Sequence, residues 1–202
     1  MAIYRMVATA LARRDIRGDC FLDVGCGAGH LRGFVQDRFA RYVGADGIRY
    51  DDFPDDARFH QIDLDTGTVP LADACADVAA AVETIEHLEN PRGLARELVR
   101  LTRPGGWVIV TTPNQRSLLS LLTLITKGHF SAFQDADYPA HITALLDTDL
   151  RRIGQELGLR EAAVAYTALG RLPLSPWHYP AALSARFPRA LSDNLLYIAR
   201  KP

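Results

Sequence analysis

Glu83, Glu86 and His87 stand at i, i+3 and i+4. If the chain turns helically there, two carboxylates and an imidazole share one face. Such a donor set suits a divalent cation with open coordination positions. His141, 54 residues further on, is the candidate fourth ligand. A cation at that place would lower the pKa of a bound hydroxyl and fix its position. Two other readings stay open. His87 is a candidate general base or pocket-lining residue, or the set takes no part in chemistry and His141 only caps the helix that follows it.

A second constellation lies upstream. In FLDVGCGAG, residues 21–29, a short apolar run leads through Asp23 into Gly25, Gly27 and Gly29. This reads as a strand, a tight turn and a helix. Glycines let the turn take positive φ and let a ligand approach the backbone. Asp46 follows Asp23 by 23 residues and precedes Gly47. An acid at about that distance past a glycine turn can accept hydrogen bonds from ribose hydroxyls. A dinucleotide turn spaces its glycines GxGxxG, and the third would fall on His30. That mismatch argues against a nicotinamide oxidoreductase.

The Asp-x-Gly-x-Gly-x-Gly stretch resembles the first motif of class I S-adenosylmethionine (SAM)-dependent methyltransferases. Three later stretches strengthen the resemblance, in order over residues 20–114: Asp63-Leu64, the Glu-x-x-Glu-His segment, and Arg-Pro-Gly-Gly, a strand and Thr-Pro-Asn114. The resemblance implies SAM as cofactor, held by Asp23, Gly25, Gly27, Gly29, Asp46 and Gly47. It places Asp63 at the adenine amino group and the Leu64 N–H at a ring nitrogen, with Asp65 as the alternative register. Glu83 would line the methionine end of SAM, a role that competes with metal ligation. Glu-x-x-Glu-His with a distant His is similar to plant small-RNA 2′-O-methyltransferases, and its first part to ubiquinone-pathway O-methyltransferases. In both, a metal holds the acceptor hydroxyl. The resemblance therefore implies methyl transfer to a hydroxyl of a small-molecule, glycan or lipid-linked acceptor. N-methylation, or a non-catalytic SAM-binding module, are the alternatives.

These residues need a scaffold. Apolar runs place strands at about 20–24, 41–45, 57–62, 77–82, 107–112, 162–168 and 194–199. Helical spacing places helices at about 2–14, 29–39 and 148–157, and another starts at Asn90-Pro91, whose apolar face is Leu94, Leu98 and Leu101. Alternating strands and helices imply an α/β fold, a doubly wound seven-stranded sheet with helices on both faces. The resemblance implies strand order 3-2-1-4-5-7-6, mostly parallel with an antiparallel last strand. Every candidate residue then lies at a strand's carboxyl end, where such sheets bind ligands.

The 202 residues fit a single domain over 1–202. Two stretches fall outside the sheet. Residues 115–140 contain the apolar run 117–126, and 171–190 are rich in proline and aromatics and expected to be irregular. Both are candidate caps over the acceptor pocket, with a dimer face or a membrane surface as alternatives. His129, Asp137 and Tyr138 lie on a loop that could fold over the site. With 23 basic and 24 acidic side chains, bulk charge gives no sign of a nucleic-acid partner. Cys20, Cys26 and Cys75 form no metal-binding spacing and read as reduced thiols, so a cytoplasmic location is expected. The N-terminal stretch lacks the apolar core of a signal peptide, and no run is long enough to span a bilayer. Oligomeric state is not readable.

Overall fold

The computed structural model describes residues 2–55, 57–173 and 175–202. Met1, Asp56 and Leu174, the last within the stretch 171–190, lie outside the described residues.

In chain order the elements are α1 (Ala2–Arg13), β1 (Gly18–Val24), α2 (Arg32–Val35), β2 (Phe39–Asp46), β3 (Arg58–Gln61) and β4 (Ala76–Val82). Then come α3 (Pro91–Leu101), β5 (Thr102–Pro113), α4 (Leu118–Lys127), α5 (Asp147–Glu156), β6 (Arg160–Tyr166), α6 (Ala181–Arg186) and β7 (Asn194–Arg200). One seven-stranded sheet runs β3-β2-β1-β4-β5-β7-β6, the order implied by the family resemblance. β1 pairs in parallel with β2 and β4, as Leu22 opposite Val43 and opposite Ala79. β7 runs antiparallel to both β5 and β6. The chain winds outward from β1 to β3, then returns to lay β4 against the other side of β1. The carboxyl ends of β1 and β4 therefore flank the switch point.

Alternation along the central strands divides the core in two. Leu22, Val24, Ala79, Ala81 and Val108 face α3, whose Leu94, Leu98 and Leu101 complete that layer. Phe21, Val78, Ala80 and Ile109 face the other side with Val7 and Leu11 of α1. Strands buried on both faces read as continuous apolar runs, which is how β4 appears in the sequence. Asn90 caps α3, its side chain accepting from the Gly93 N–H at 2.8 Å.

Two expectations are corrected, and one segment left without an assignment gains one. The helix placed at 29–39 is a single turn, Arg32–Val35; Gly33 weakens the segment, and β2 already begins at Phe39. Residues 171–190 are not wholly irregular, because α6 forms between Pro180 and Pro188. Ala-Ala-Leu-Ser-Ala-Arg is a helix-forming run with a proline on each side. The apolar run 117–126 is also a helix, α4, with Ser117 accepting from the Ser120 N–H and Gly128 ending it in the left-handed region. Among the described residues no helix is long and apolar enough to cross a membrane.

Candidate active site

The turn after β1 holds Gly25, Gly27 and Gly29 at φ of +77°, +51° and +72°. A Cβ on Gly25 would come within 2.2 Å of Thr84 Oγ1, so Thr84, just past Glu83 at the end of β4, presses directly on the turn. A Cβ on Gly27 would meet nothing within 4 Å. The backbone there faces open space, as a ligand cradle requires. Asp46, at the end of β2, clamps the turn: Oδ2 accepts from the Gly27 N–H and Oδ1 from the Gly47 N–H, both at 2.7 Å.

Asp23 sits beneath, buried at the end of β1. Its Oδ2 accepts from the Tyr42 hydroxyl at 2.5 Å, while Oδ1 has no hydrogen-bond partner among the described residues. Burial pushes its carboxyl up to about 7, against the downward pull of the Tyr42 hydrogen bond. Tyr4 of α1 is close enough that the charges of Asp23 and Glu83, after its own burial, raise its hydroxyl pKa. Beyond Asp46 an open groove of about 530 Å³ is lined by Gly47, Ile48, Asp63, Leu64 and Leu88. Asp63 turns back on its own loop, accepting from the Asp65 N–H at 2.9 Å and the Thr66 hydroxyl at 2.8 Å. Asp65 accepts from the Asn90 N–H and so ties this loop to the start of α3.

The carboxyl end of β4 carries the other constellation. Glu83 is held at φ +52°, a conformation that is uncommon outside glycine and costs energy. Its Oε1 accepts from the Thr111 hydroxyl at 2.7 Å and its Oε2 from the Asn194 amide at 2.6 Å. Burial raises its pKa, and those two hydrogen bonds oppose the rise. The chain turns helically only from Ile85 to His87, as one turn of 3₁₀ helix. Glu83 precedes that turn, so the shared face expected for Glu83, Glu86 and His87 does not form. Among the described residues, Glu86, His87 and His141 converge instead. Each offers one ligand atom, and these lie within 4.8 Å of one another.

Glu86 is fully buried, and among the described residues neither of its carboxylate oxygens makes a hydrogen bond of ordinary geometry; the Thr112 hydroxyl and its own backbone N–H lie near enough only to oppose the rise of its pKa. Burial, and then the charge of Glu83, raise its pKa. The imidazoles of His87 and His141 lie 4.7 Å apart, centre to centre. His87 Nδ1 is 2.7 Å from the Ala140 carbonyl, and His141 Nδ1 is 2.5 Å from the Ala132 carbonyl. A carbonyl only accepts, so both Nδ1 atoms carry a proton, and Nε2 is the ring nitrogen left to act as a lone-pair donor. Carbonyls placed in this way orient histidines that ligate metals. Backbone bonds hold the two chain segments together: the Glu86 carbonyl accepts from the Ile142 and Thr143 N–H groups, both at 3.0 Å.

The family model described as a methyltransferase domain matches residues 3–163 of this chain. The chain belongs to that methyltransferase family. A probable S-adenosylmethionine-dependent methyltransferase of Mycolicibacterium smegmatis is 29% identical over 198 residues, covering 95% of this chain and 70% of the relative. A ubiquinone biosynthesis O-methyltransferase of Chromobacterium violaceum is 27% identical over 155 residues, covering 72% of this chain and 66% of the relative. An uncharacterized methyltransferase of Mycobacterium avium is 31% identical over 106 residues, and this chain spans only 39% of its length. The fold matches a SAM-dependent methyltransferase from Archaeoglobus fulgidus with a TM-score of 0.65 and 18% identity, over 98% of this chain and 94% of that one. SAM is therefore the cofactor of this methyltransferase.

Several residues packed around the candidate site escape sequence reasoning. Phe53, in a loop that reads as acidic and proline-broken, is buried beside Gly29 and Gly44 and meets Tyr42 and Phe59 edge-on or tilted. A lone aromatic among aspartates was the available signal. Tyr42, Thr111 and Asn194 are ordinary strand residues in sequence, and only their partners Asp23 and Glu83 give them a role. Asn114, the last residue of the Thr-Pro-Asn motif, faces away from chemistry: its amide donates to the Arg189 and Ser192 carbonyls and anchors the segment before β7. Cys26 is buried and packs beneath the turn, its thiol against the Gly27 carbonyl.

Proposed function

We propose that this methyltransferase carries a methyl group from SAM to a hydroxyl of a small-molecule, glycan or lipid-linked acceptor, with a divalent cation seated on Glu86, His87 and His141. Glu86 carries the reading. A buried carboxylate with no well-formed hydrogen bond to either oxygen among the described residues is costly on its own and is expected where a proton or a cation neutralises it. Two imidazoles with their Nε2 lone pairs uncommitted stand beside it, and a site of this kind keeps open positions for a substrate. A bound cation would supply Lewis acidity, lowering the acceptor hydroxyl's pKa and holding its oxygen in place. Two nitrogens in the set favour Mn²⁺, Fe²⁺ or Co²⁺ over Mg²⁺. Similarity to the ubiquinone biosynthesis O-methyltransferase of Chromobacterium violaceum supports oxygen over nitrogen as the methylated atom.

On the donor side, SAM arrives with its methyl group already activated on a sulfonium. The chain's work is to align donor and acceptor and to take up the hydroxyl proton. In this reading Gly25, Gly27 and Gly29 shape the cradle, Asp46 and Gly47 meet the ribose, and Asp63 and Leu64 meet the base. The unpaired Oδ1 of Asp23 and the Glu83 carboxylate set the negative field for the methionine ammonium. Glu83 is thereby assigned to SAM and not to the cation, since Thr111 and Asn194 already fix its oxygens. Residues 115–140 and 171–190 cap the acceptor side.

Calorimetry with Mn²⁺ tests the cation directly. Binding should be seen with wild type and lost in His141→Ala, with SAM affinity unchanged in both. Chelation should abolish methyl transfer to the acceptor found by incubating extracts with methyl-labelled SAM. Full turnover in chelator would remove the cation and leave His87 as the general base.

Asp46→Ala should weaken SAM binding by roughly 1–3 kcal/mol, since it removes charged hydrogen-bond acceptors from the ribose. The variant should also melt earlier, because the Gly27 and Gly47 N–H groups lose their acceptor. Unchanged SAM affinity by calorimetry would take Asp46 out of the ribose site.

A further inference from the structure

Helix α4 is built inside out. Of its ten residues only Ser120 is buried. Leu118, Leu121, Leu122 and Leu124 are between 36% and 42% exposed, and Ile125 is 80% exposed. A helix on the surface of a water-soluble domain turns its apolar stripe inward. Here the inward position is polar. The Ser120 hydroxyl donates to Gln115 Oε1 and accepts from the Ser131 N–H, both at 3.2 Å. The helix also hides its own hydroxyls: Thr123 and Thr126 bond back to the Leu119 and Leu122 carbonyls at 2.7 Å. That leaves an outer surface of leucine and isoleucine with few polar groups to hydrate.

The neighbouring segments share this character. The Leu118 N–H donates to the Ala190 carbonyl, which joins α4 to the stretch after α6. Leu183 and Phe187 are exposed there, and Trp177 is 72% exposed on the turn that lines a groove with α4. Charge singles out the same surface. Positions 115–134 and 166–192 carry Arg116, Lys127, Arg171, Arg186 and Arg189 and not one acid, in a chain whose acids outnumber its bases 24 to 23. Arg116 and Arg171 pair with Asp147 and Asp193. Lys127, Arg186 and Arg189 make no ion pair among the described residues.

We propose that this face docks on an anionic lipid bilayer, with α4 lying in the plane of the interface. An outward apolar helix, an exposed tryptophan and unpaired basic side chains are the features by which a chain rests on such a surface. At ten residues, or about 15 Å, α4 is too short to cross. A second copy of the chain is a poorer occupant, since a two-fold contact would set Lys127, Arg186 and Arg189 against their own copies, while Asp147 and Asp193 are already paired with Arg116 and Arg171. The face also leads to the proposed acceptor site: Ser120 holds Ser131, and the Ala132 carbonyl beside it orients His141. A lipid-linked acceptor would thus reach the cation from the membrane side, a consequence that rests on the proposed function although the docking does not.

Vesicle co-sedimentation of the full chain tests it without any turnover. The protein should sediment with phosphatidylcholine vesicles containing phosphatidylglycerol, much less with phosphatidylcholine alone, and less as salt rises. Leu121→Asp with Ile125→Asp should lower the partition coefficient about tenfold or more, and Lys127→Glu several-fold, with SAM affinity intact as the check on folding. Three results would overturn the proposal: wild type remaining in the supernatant with anionic vesicles, the double variant sedimenting as wild type does, or a wild-type dimer that the double variant converts to monomer. The last would assign the face to a second copy.

Discussion

Glu86→Gln should yield a protein that is more stable than wild type and almost inert. Turnover is expected to fall roughly hundredfold or more, because the only carboxylate of the convergent set is gone. SAM affinity should stay near wild type, since the glycine turn and Asp46 are untouched. Stability should move the other way. In the folded wild type, burial and the Glu83 charge raise the pKa of Glu86 above its unfolded value. The folded state then keeps a proton that the unfolded chain releases. The stability that this proton contributes is fully present below the unfolded pKa and is lost as pH rises through the folded one. Glutamine carries no such proton, so the stability gap between variant and wild type should widen with pH, reaching roughly 1–3 kcal/mol above neutrality. The amide leaves its own polar atoms buried, which keeps the gain at the lower end. Added Mn²⁺ should close the gap, because it binds the folded wild type only. Melting curves across this pH range, with and without Mn²⁺, are the measurement. Equal melting temperatures at every pH, or retained turnover, would mean that Glu86 is neither an isolated buried charge nor a ligand.

Gly27→Val should abolish measurable SAM binding, a loss of roughly hundredfold or more, in a chain that still folds. The new side chain would occupy the space that is open around the Gly27 Cβ position. The fold meets no clash there, though a β-branched residue at φ +51° carries a strain of roughly 1–2 kcal/mol. Gly25→Ala is the contrast. Its Cβ would collide with Thr84, so it should lose stability first and SAM affinity as a consequence. Calorimetry and thermal melts separate the two. Wild-type SAM affinity in Gly27→Val would place the cofactor away from this turn.

Much of the scaffold was legible because its signals are local. Apolar runs at 20–24 and 77–82 are strands whose two faces are both buried, and nothing distant is needed to say so. The Asn90-Pro91 cap and the Leu94, Leu98 and Leu101 stripe lie within one helix. The glycine turn was legible for the same reason, since positive φ is a property of single residues. Even the helix misjudged at 29–39 failed locally, where a single glycine and an early strand start cut it to one turn.

Tertiary structure decided what these elements do to one another. His141 meets His87 only because the Glu86 carbonyl captures the N–H groups of Ile142 and Thr143, a contact between segments more than 50 residues apart. No periodicity encodes such a closure. Glu83 leaves the expected set because a positive φ at the end of β4 turns it toward Thr111 and Asn194, and Asn194 lies 111 residues away. Asp46 is clamped to Gly27 and Gly47 in a way that its spacing from Asp23 does not announce. For α4, the apolar run states that the segment avoids water but not which way it faces. That was settled by Ser120, which finds Gln115 and Ser131 inside the fold and so turns the leucines out. Residue type and spacing determine which groups can bind a methyl donor or a cation. Which of them meet is set by hydrogen bonds between distant segments, whose geometry exists only once the sheet has closed.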